Sequence, residues 1–316
     1  MITSRETMSL IVLAARLYYE QNLTQPEIAE RLSVSQPRVS RWLKSATELG
    51  IIRTIVLSPS GVHSDLEEEV RSAFGMLHVI VVDVTDEQGI LSALGSAAAV
   101  YLETTLIDGA KVGISSYSTN LMATVQAMLP LKKRRVGEIV QVMGGVGQPT
   151  VQILATQAAD RLAQLTGAEP RFLAAPGLVS TAAIRDALNQ DPIVQNVARE
   201  WGSLTDVVLG IGSLTPSKLL KSSGNAISDE ESEQLRRLGA VGDVAMRYFD
   251  ADGNFVPSDL DKRVIGIGVD ELRQVTRKIG IAGGERKFEA ILGAVRGKWI
   301  DVLITDHGTA ERLVRT

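Results

Sequence analysis

From His78 to the C-terminus the chain alternates short, almost uninterrupted apolar runs with longer stretches of helical periodicity, and few folds accept that alternation. Val207-Val208-Leu209 is typical: no polar residue interrupts it, so a strand there must be covered on both faces. The pattern places strands at Val79–Val84, Lys111–Ser115, Val136–Val142, Arg171–Ala174, Asp206–Ile211, Val264–Ile267, Lys278–Ala282 and Asp301–Thr305. Helices fall at Gln88–Thr105, Val151–Thr166, Ser228–Leu238 and Arg286–Arg296. Strand and helix in alternation predict an α/β class domain with a doubly wound, mostly parallel sheet. No internal repeat or low-complexity tract interrupts it.

The first 57 residues follow a different pattern. Leu10, Leu13, Ala14, Leu17 and Tyr18 keep the helical period, predicting a helix over Met8–Glu20. Thr24 with Glu27 three residues on forms a capping box for a second helix ending near Leu32. After a turn at Ser33-Val34, Ser35 caps a third helix, Pro37 sits in its first turn and Gly50 ends it. Ile51–Leu57 is β-branched and reads as an extended wing, and Ser58-Pro59-Ser60-Gly61 as a linker. A charged connecting helix is predicted over Asp65–Phe74. The expected division is a winged helix-turn-helix domain at 1–57 and a larger domain at 58–316, with the linker helix at about 64–75.

On the third helix Val39, Trp42, Leu43 and Ala46 share one face, which marks it as buried. Pro37, Ser40, Arg41 and Lys44 lie opposite, with Gln36 and Arg38 near the helix start. A recognition helix needs this arrangement, its apolar side locked onto its neighbours and its polar N-terminal residues facing base edges. Gln36 suits adenine, Arg38 or Arg41 suits guanine, and Lys44 or Ser40 suits phosphate. With Thr24, Gln25 and Ser35 at the helix starts, these complete the set of candidate contacts to double-stranded DNA. A solvated three-helix cap is the plain alternative, but the tight turn, the capped third helix and the wing favour DNA.

Charge agrees in sign. Residues 1–57 hold seven Lys/Arg against five Glu (+2), leaving 26 basic and 32 acidic groups (−6) in the rest of a chain of net charge −4. A mildly basic head on an acidic body suits a DNA reader with a separate regulatory part. The chain has no cysteine, which excludes disulfides and thiolate metal sites and points to a reducing compartment. The apolar run Leu10–Ala15 is too short to span a bilayer and no cleavage pattern follows it, so a soluble, cytoplasmic, nucleoid-associated protein is expected, without membrane partners.

In an open parallel sheet ligands bind beyond the carboxyl ends of the strands. Here those ends carry Ser115-Ser116-Tyr117-Ser118-Thr119, Gly144-Gly145-Val146-Gly147, Gly210–Ser213, and Gly283-Gly284 followed by Lys287. The hydroxyls and N–H groups of the first, at a helix start, suit a phosphate or carboxylate. Each cluster alone reads more often as turn or capping geometry than as ligand contact, and Gly210-Ile211-Gly212 lacks the third glycine of a dinucleotide fingerprint. Their joint occurrence favours a polyhydroxylated ligand.

The chain resembles the SorC/DeoR-type family of sugar-binding transcriptional regulators. The head residues Tyr18–Gln25, Ile28-Ala29 and Val39–Lys44 carry part of the resemblance. The tail carries more: Asp206–Gly212, Gly239–Asp243, Phe249–Gly253, Val264–Ile267, Ala282–Lys287, Leu303–Asp306 and Thr309-Ala310, in the family's order. The resemblance implies a regulator whose C-terminal domain has the fold of sugar-phosphate isomerases and deaminases. It also implies a homotetramer whose DNA affinity or assembly responds to a sugar, polyol or sugar phosphate. By resemblance Asp243 and Lys287 line the effector pocket; Ser115, Ser116, Ser118, Thr119, Gly144 and Gly145 join them as candidates from their place at the strand ends. One departure stands out: where the family's strand-end loop places an aromatic and a glycine after its first serine, this chain has Ser116-Tyr117-Ser118-Thr119. That departure favours an unphosphorylated ligand.

The alternative is an isomerase-like enzyme with a DNA-binding head. Catalysis would need a tuned acid and base, and His63, His78 and His307 fall in no catalytic spacing. No catalytic residue, metal or cofactor is therefore expected. A DNA-binding assembly protein without effector is the third reading, and so large an α/β domain argues against it.

Overall fold

The structure is a computed structural model, and it describes residues 5–52, 63–84, 89–132 and 135–316. Two compact units divide the chain, Met1–Ser60 and Gly61–Thr316.

The small unit holds α1 (Arg5–Tyr19), α2 (Gln25–Arg31) and α3 (Gln36–Glu48). Ile11, Ala14 and Leu17 of α1, Ile28 of α2, and Val39, Trp42, Leu43 and Ala46 of α3 make one core. The predicted buried face of α3 is therefore the one that packs. Ser33 adopts the left-handed φ of 52°, which keeps the α2–α3 turn tight. Ile51 and Ile52 do not begin an extended wing: both N–H groups return to the Ala46 carbonyl and close the end of α3. The rest of the expected wing, residues 53–57, the linker Ser58–Gly61 and the boundary at 57/58 lie outside the described residues.

The large unit opens with α4 (Ser64–Phe74) and β1 (His78–Val82), then α5 (Ile90–Thr105), β2 (Lys111–Ile114) and α6 (Thr119–Ala127). Next come β3 (Glu138–Gln141), α7 (Pro149–Thr166), β4 (Glu169–Arg171), α8 (Ala182–Gln190) and α9 (Pro192–Ala198). β5 (Asp206–Ser213), α10 (Lys218–Ser223), α11 (Asp229–Arg237), β6 (Ala240–Val244) and β7 (Arg247–Asp250) follow. The chain closes with α12 (Val269–Gln274), β8 (Arg277–Ile281), α13 (Phe288–Arg296), β9 (Val302–Asp306) and α14 (His307–Val314). Gln88, the expected first residue of the helix now seen as α5, lies outside the described residues.

Seven strands pair in parallel in the order β1-β9-β8-β5-β2-β3-β4. Alternate residues serve opposite faces: Val207 and Leu209 join the core under α4 and α13, while Val208 joins the core under α5, α6 and α7. Each such fully buried aliphatic side chain contributes about 1.5–3 kcal/mol. From β2 the chain winds outward through β3 and β4; from β5 it winds the other way through β8 and β9. The crevice between β2 and β5 is thus the topological switch point, where such sheets take ligands.

Two expectations need correction. Val264–Ile267 is not a sheet strand. It is an extended, buried segment bridging Leu178 and Met143, with the Ile265 N–H on the Gly177 carbonyl and the Ile267 N–H on that of Val142. The strand expected at Arg171–Ala174 lies earlier, as β4 at Glu169–Arg171, because the Leu173 N–H is taken by the Gln141 side chain at 2.9 Å instead of by a ladder partner. The hairpin β6–β7, which pairs antiparallel with the end of β5, was not anticipated.

Candidate DNA-reading helix and ligand cleft

On α3, Gln36, Arg38, Ser40, Arg41 and Lys44 are exposed while the opposite face is buried. The Arg38 guanidinium lies 5.2 Å from the Trp42 ring centroid, a cation–π stack that restrains the side chain on its helix. Arg41 Nε donates to the Pro37 carbonyl at 3.4 Å, and the residue is exposed. Lys44 lies 4.0 Å from Glu48, an exposed pair of little energetic weight. Ser35 is exposed at the N-cap of α3, and Gln25 is half-buried at the start of α2. Thr24 is engaged elsewhere: its N–H and hydroxyl both donate to Glu27 Oε2 at 2.7 Å, holding that carboxyl below its usual range. Capping accounts for Thr24.

In the large unit three predicted residues converge on the end of β5. Gly212 pairs with Asp243 across the antiparallel ladder, and a Cβ on Gly212 would overlap Asp243 Oδ1. A Cβ on Gly210 would come within 2.6 Å of Ser118 Oγ. Lys287 Nζ, at the end of a 3₁₀ turn over Glu285–Lys287, donates to the Ile211 carbonyl at 2.8 Å. The glycines of Gly210-Ile211-Gly212 therefore stand where the side chains of Ser118 and Asp243 cross the strand. Asp243 and Lys287 form no direct ion pair, but each feels the other's charge.

Both groups are surrounded by protein yet keep some solvent access, as groups lining a cleft do. Burial pushes the Asp243 carboxyl up to about 6, against the pull of the Met246 N–H (2.9 Å) and of Lys287. Burial likewise lowers the Lys287 amine, against the attraction of Asp243. The Met246 N–H belongs to the β6–β7 turn, where Ala245 (φ 51°) and Met246 (φ 61°) are both left-handed without a glycine. Strained backbone of this kind collects at functional sites.

The other expected contacts sit one loop away. Ser115 is buried with its N–H on the Val208 carbonyl, and Ser116 Oγ donates to the Met143 carbonyl at 2.9 Å. Ser118 Oγ accepts the Leu121 N–H as N-cap of α6, and Thr119 is exposed. Tyr117, itself left-handed at φ 59°, donates its hydroxyl to the Gly145 carbonyl at 2.5 Å. A Cβ on Gly144 would overlap the Pro176 carbonyl, so close backbone packing explains that glycine.

Asn225 was missed by sequence reasoning. It is buried, donates to the Val146 carbonyl at 3.1 Å and accepts the N–H groups of Gly177 (2.7 Å) and Leu178 (3.2 Å), knitting three loops beside the cleft. Its only sequence signal is its place in Ser-Ser-Gly-Asn, a turn. A groove of about 480 Å³ along α7, lined by Ile153, Thr156 and Phe172 among others, shares no residue with the strand-end cluster. It offers Asp160 as its one charge, whereas the β5 end offers two opposed charges and a hydroxyl. None of the three histidines bonds to Asp243, Lys287 or Ser118 among the described residues.

Comparison with known proteins supplies the context. The sugar-binding domain family model matches residues 59–315, and the sigma-70 region 4 model matches residues 13–48. The deoxyribonucleoside regulator of Bacillus subtilis is 34% identical over 98% of both chains. The sorbitol operon regulator of Klebsiella pneumoniae is 30% identical over 98% of this chain and 99% of the other. The crystal structure of the full-length Klebsiella pneumoniae regulator SorC covers 99% of this chain and 100% of its own at 29% identity, with a TM-score of 0.79.

Proposed function

The chain belongs to the SorC/DeoR-type family of sugar-binding transcriptional regulators, and from that premise we propose which of its residues read DNA and which hold the effector. It is a DNA-binding transcriptional regulator with a sugar-type effector, not an enzyme. Residues 1–57 are the DNA-binding domain and residues 58–316 the effector-binding and oligomerisation domain. Gln36, Arg38, Ser40, Arg41 and Lys44 enter the major groove, with Gln25 and Ser35 on the flanking backbone.

The effector lies at the switch point between β2 and β5. The observation that carries this reading is the convergence of Asp243, Lys287 and Ser118 on Gly210–Gly212. A carboxylate accepts two vicinal hydroxyls, and an ammonium donates to a ring or chain oxygen. Because Ser116 already donates its hydroxyl inside the protein, leaving Ser118 as the donor hydroxyl beside Lys287, an uncharged sugar or polyol fits better than a phosphate ester. The protein acts in the cytoplasm at the nucleoid; no described helix is long and apolar enough to cross a membrane. It works as a homotetramer, as the family resemblance implies, with its helix-turn-helix units paired on two half-sites.

Thermal denaturation of the full chain against a panel of polyols, pentoses, deoxyribonucleosides and their phosphates tests the reading. A specific ligand at a hundred times its Kd stabilises the native state by about 2.7 kcal/mol. Asp243→Ala is expected to remove that shift and leave operator binding insensitive to the ligand. A normal ligand response in this variant counts against the pocket.

A further inference from the structure

α4 is the first element of the large unit, and the chain enters it at His63. A helix start ordinarily carries Ser, Thr, Asp or Asn, but His63 makes no capping bond. Its side chain is nonetheless 14% exposed, with Nε2 2.8 Å from Asp83 Oδ1 at the end of β1 and its ring 4.8 Å from that of His307. Capping explains neither contact.

His307 begins α14 directly after Asp306. Asp306 Oδ2 accepts the Gly284 N–H at 2.7 Å and the Thr309 hydroxyl at 2.6 Å, while Oδ1 accepts the Thr309 N–H at 3.0 Å. Gly284 opens the 3₁₀ turn that ends at Lys287. There is little slack, because a Cβ on Gly283 would come within 2.5 Å of Asp306 Oδ2. The cleft lysine is thus joined through one turn, one carboxylate and one peptide bond to His307, and through a ring contact to the first residue of the linker helix. Along its length α4 is held by Glu67 Oε1 accepting the Val81 N–H at 2.9 Å, and at its end by Lys298 donating to the Phe74 and Gly75 carbonyls. Its N-terminus is the end whose fastening leads back to the cleft.

We propose that His63 and His307 are positioning residues that transmit the state of the Lys287 cleft to the start of α4, and so to the DNA-binding unit tethered there. The inference rests on the cleft reading above. A ligand that draws Lys287 from the Ile211 carbonyl shifts the Gly284 turn. Asp306 and His307 follow, and the His63 contact is remade or lost. Coupling of this kind is a free energy shared by two sites.

A double-mutant cycle measures that coupling. Amide hydrogen exchange of α4 residues 64–70 is read in the full chain, with the cleft perturbed by Lys287→Met or, independently, Asp243→Asn. Each is made in the native background and with His63→Ala, His307→Ala or His307→Phe. The expected result is that the cleft substitution changes α4 protection at least about fivefold in the native background. That change should vanish in both histidine-to-alanine backgrounds and persist with His307→Phe, which keeps the ring contact. A merely structural role for His63 would raise exchange in every background and leave the cleft effect additive; that outcome overturns the proposal. A second arm uses sorbitol as probe and operator DNA selected from a random pool. If sorbitol binds, His63→Ala must leave its Kd within about twofold while collapsing its effect on operator affinity, and an undiminished effect overturns the proposal. If the native chain does not bind sorbitol, the polyol reading of the cleft is what fails, and the exchange cycle still decides this one.

Discussion

Asp243 offers a test in which the sign as well as the size is fixed beforehand. Its carboxyl titrates near 6 in the folded protein against an ordinary value of 3.8, mainly because burial disfavours the charged form. Between those two pH values the native state holds a proton that the unfolded chain has released. The associated stability is therefore fully present below about pH 4 and is lost as pH rises through about 6. A shift of about two units corresponds to about 3 kcal/mol. Asp243→Asn keeps an oxygen for the Met246 N–H but cannot ionise. The variant should exceed the native chain by about 1 kcal/mol at pH 4.5 and by about 3 kcal/mol at pH 7.5, the latter about 6–12 °C in the melting temperature of a unit this size. Differential scanning calorimetry of the full chain across that range reads the difference. A native-minus-variant difference that stays flat with pH would refute the reasoning, since then burial is not what perturbs the group. On the proposed reading the same carboxylate, once ionised, accepts the ligand's hydroxyls, so polyol binding should strengthen as pH rises through about 6.

Three further outcomes are expected. Arg41→Ala, at an exposed position whose bonded neighbour is only the Pro37 carbonyl, should abolish operator binding in a gel-shift assay while the melting curve and effector binding stay unchanged; unaltered affinity would sink the assignment. Gly253→Ala introduces a Cβ onto the Gly297 backbone at a residue with φ 82°, and should cost more than about 3 kcal/mol in urea denaturation. A loss under about 1 kcal/mol would mean the two loops part easily. Asn225→Ala leaves the Gly177 and Leu178 N–H groups and the Val146 carbonyl unpaired in a buried site. It should cost about 2–4 kcal/mol and weaken effector binding with it, and a stable variant that binds normally would show the loops hold without it.

The parallel strands were legible because a strand covered on both faces has no polar positions to confuse the signal: β5, β8 and β9 lie within two residues of their predicted bounds. The hairpin β6–β7 was hidden for the converse reason. Its turn residues Ala245 and Met246 are both left-handed, yet neither is the Asn or Gly by which such a turn is recognised in sequence. What stands in for turn chemistry is the Asp243 carboxylate accepting the Met246 N–H, a contact no local pattern announces. Val264–Ile267 misled in the other direction. Its apolar run is buried, but by isolated bridges to the loops after β3 and β4, not by a sheet.

The strand-end glycines show where reading a site from sequence stops. Gly144, Gly147, Gly210 and Gly212 give the same signal, a small residue after a strand. At Gly144 and Gly147 the space that a Cβ would need is taken by the backbone carbonyls of Pro176 and Ser223. Those glycines are fixed by packing, and the polar side chains beside Gly147, Asn225 and Tyr117, already bond to backbone carbonyls. At Gly210 and Gly212 the space is taken by the side chains of Ser118 and Asp243, groups that hydrogen-bond, and Lys287 reaches the carbonyl between them. Which neighbour fills a glycine's missing side chain is a property of topology: Ser118 follows β2, Asp243 lies on a hairpin, and Lys287 follows β8. Only the winding of β2 and β5 in opposite directions brings the three to one crevice, and that is why the proposed ligand site lies at the end of β5 and not in the more glycine-rich loop after β3.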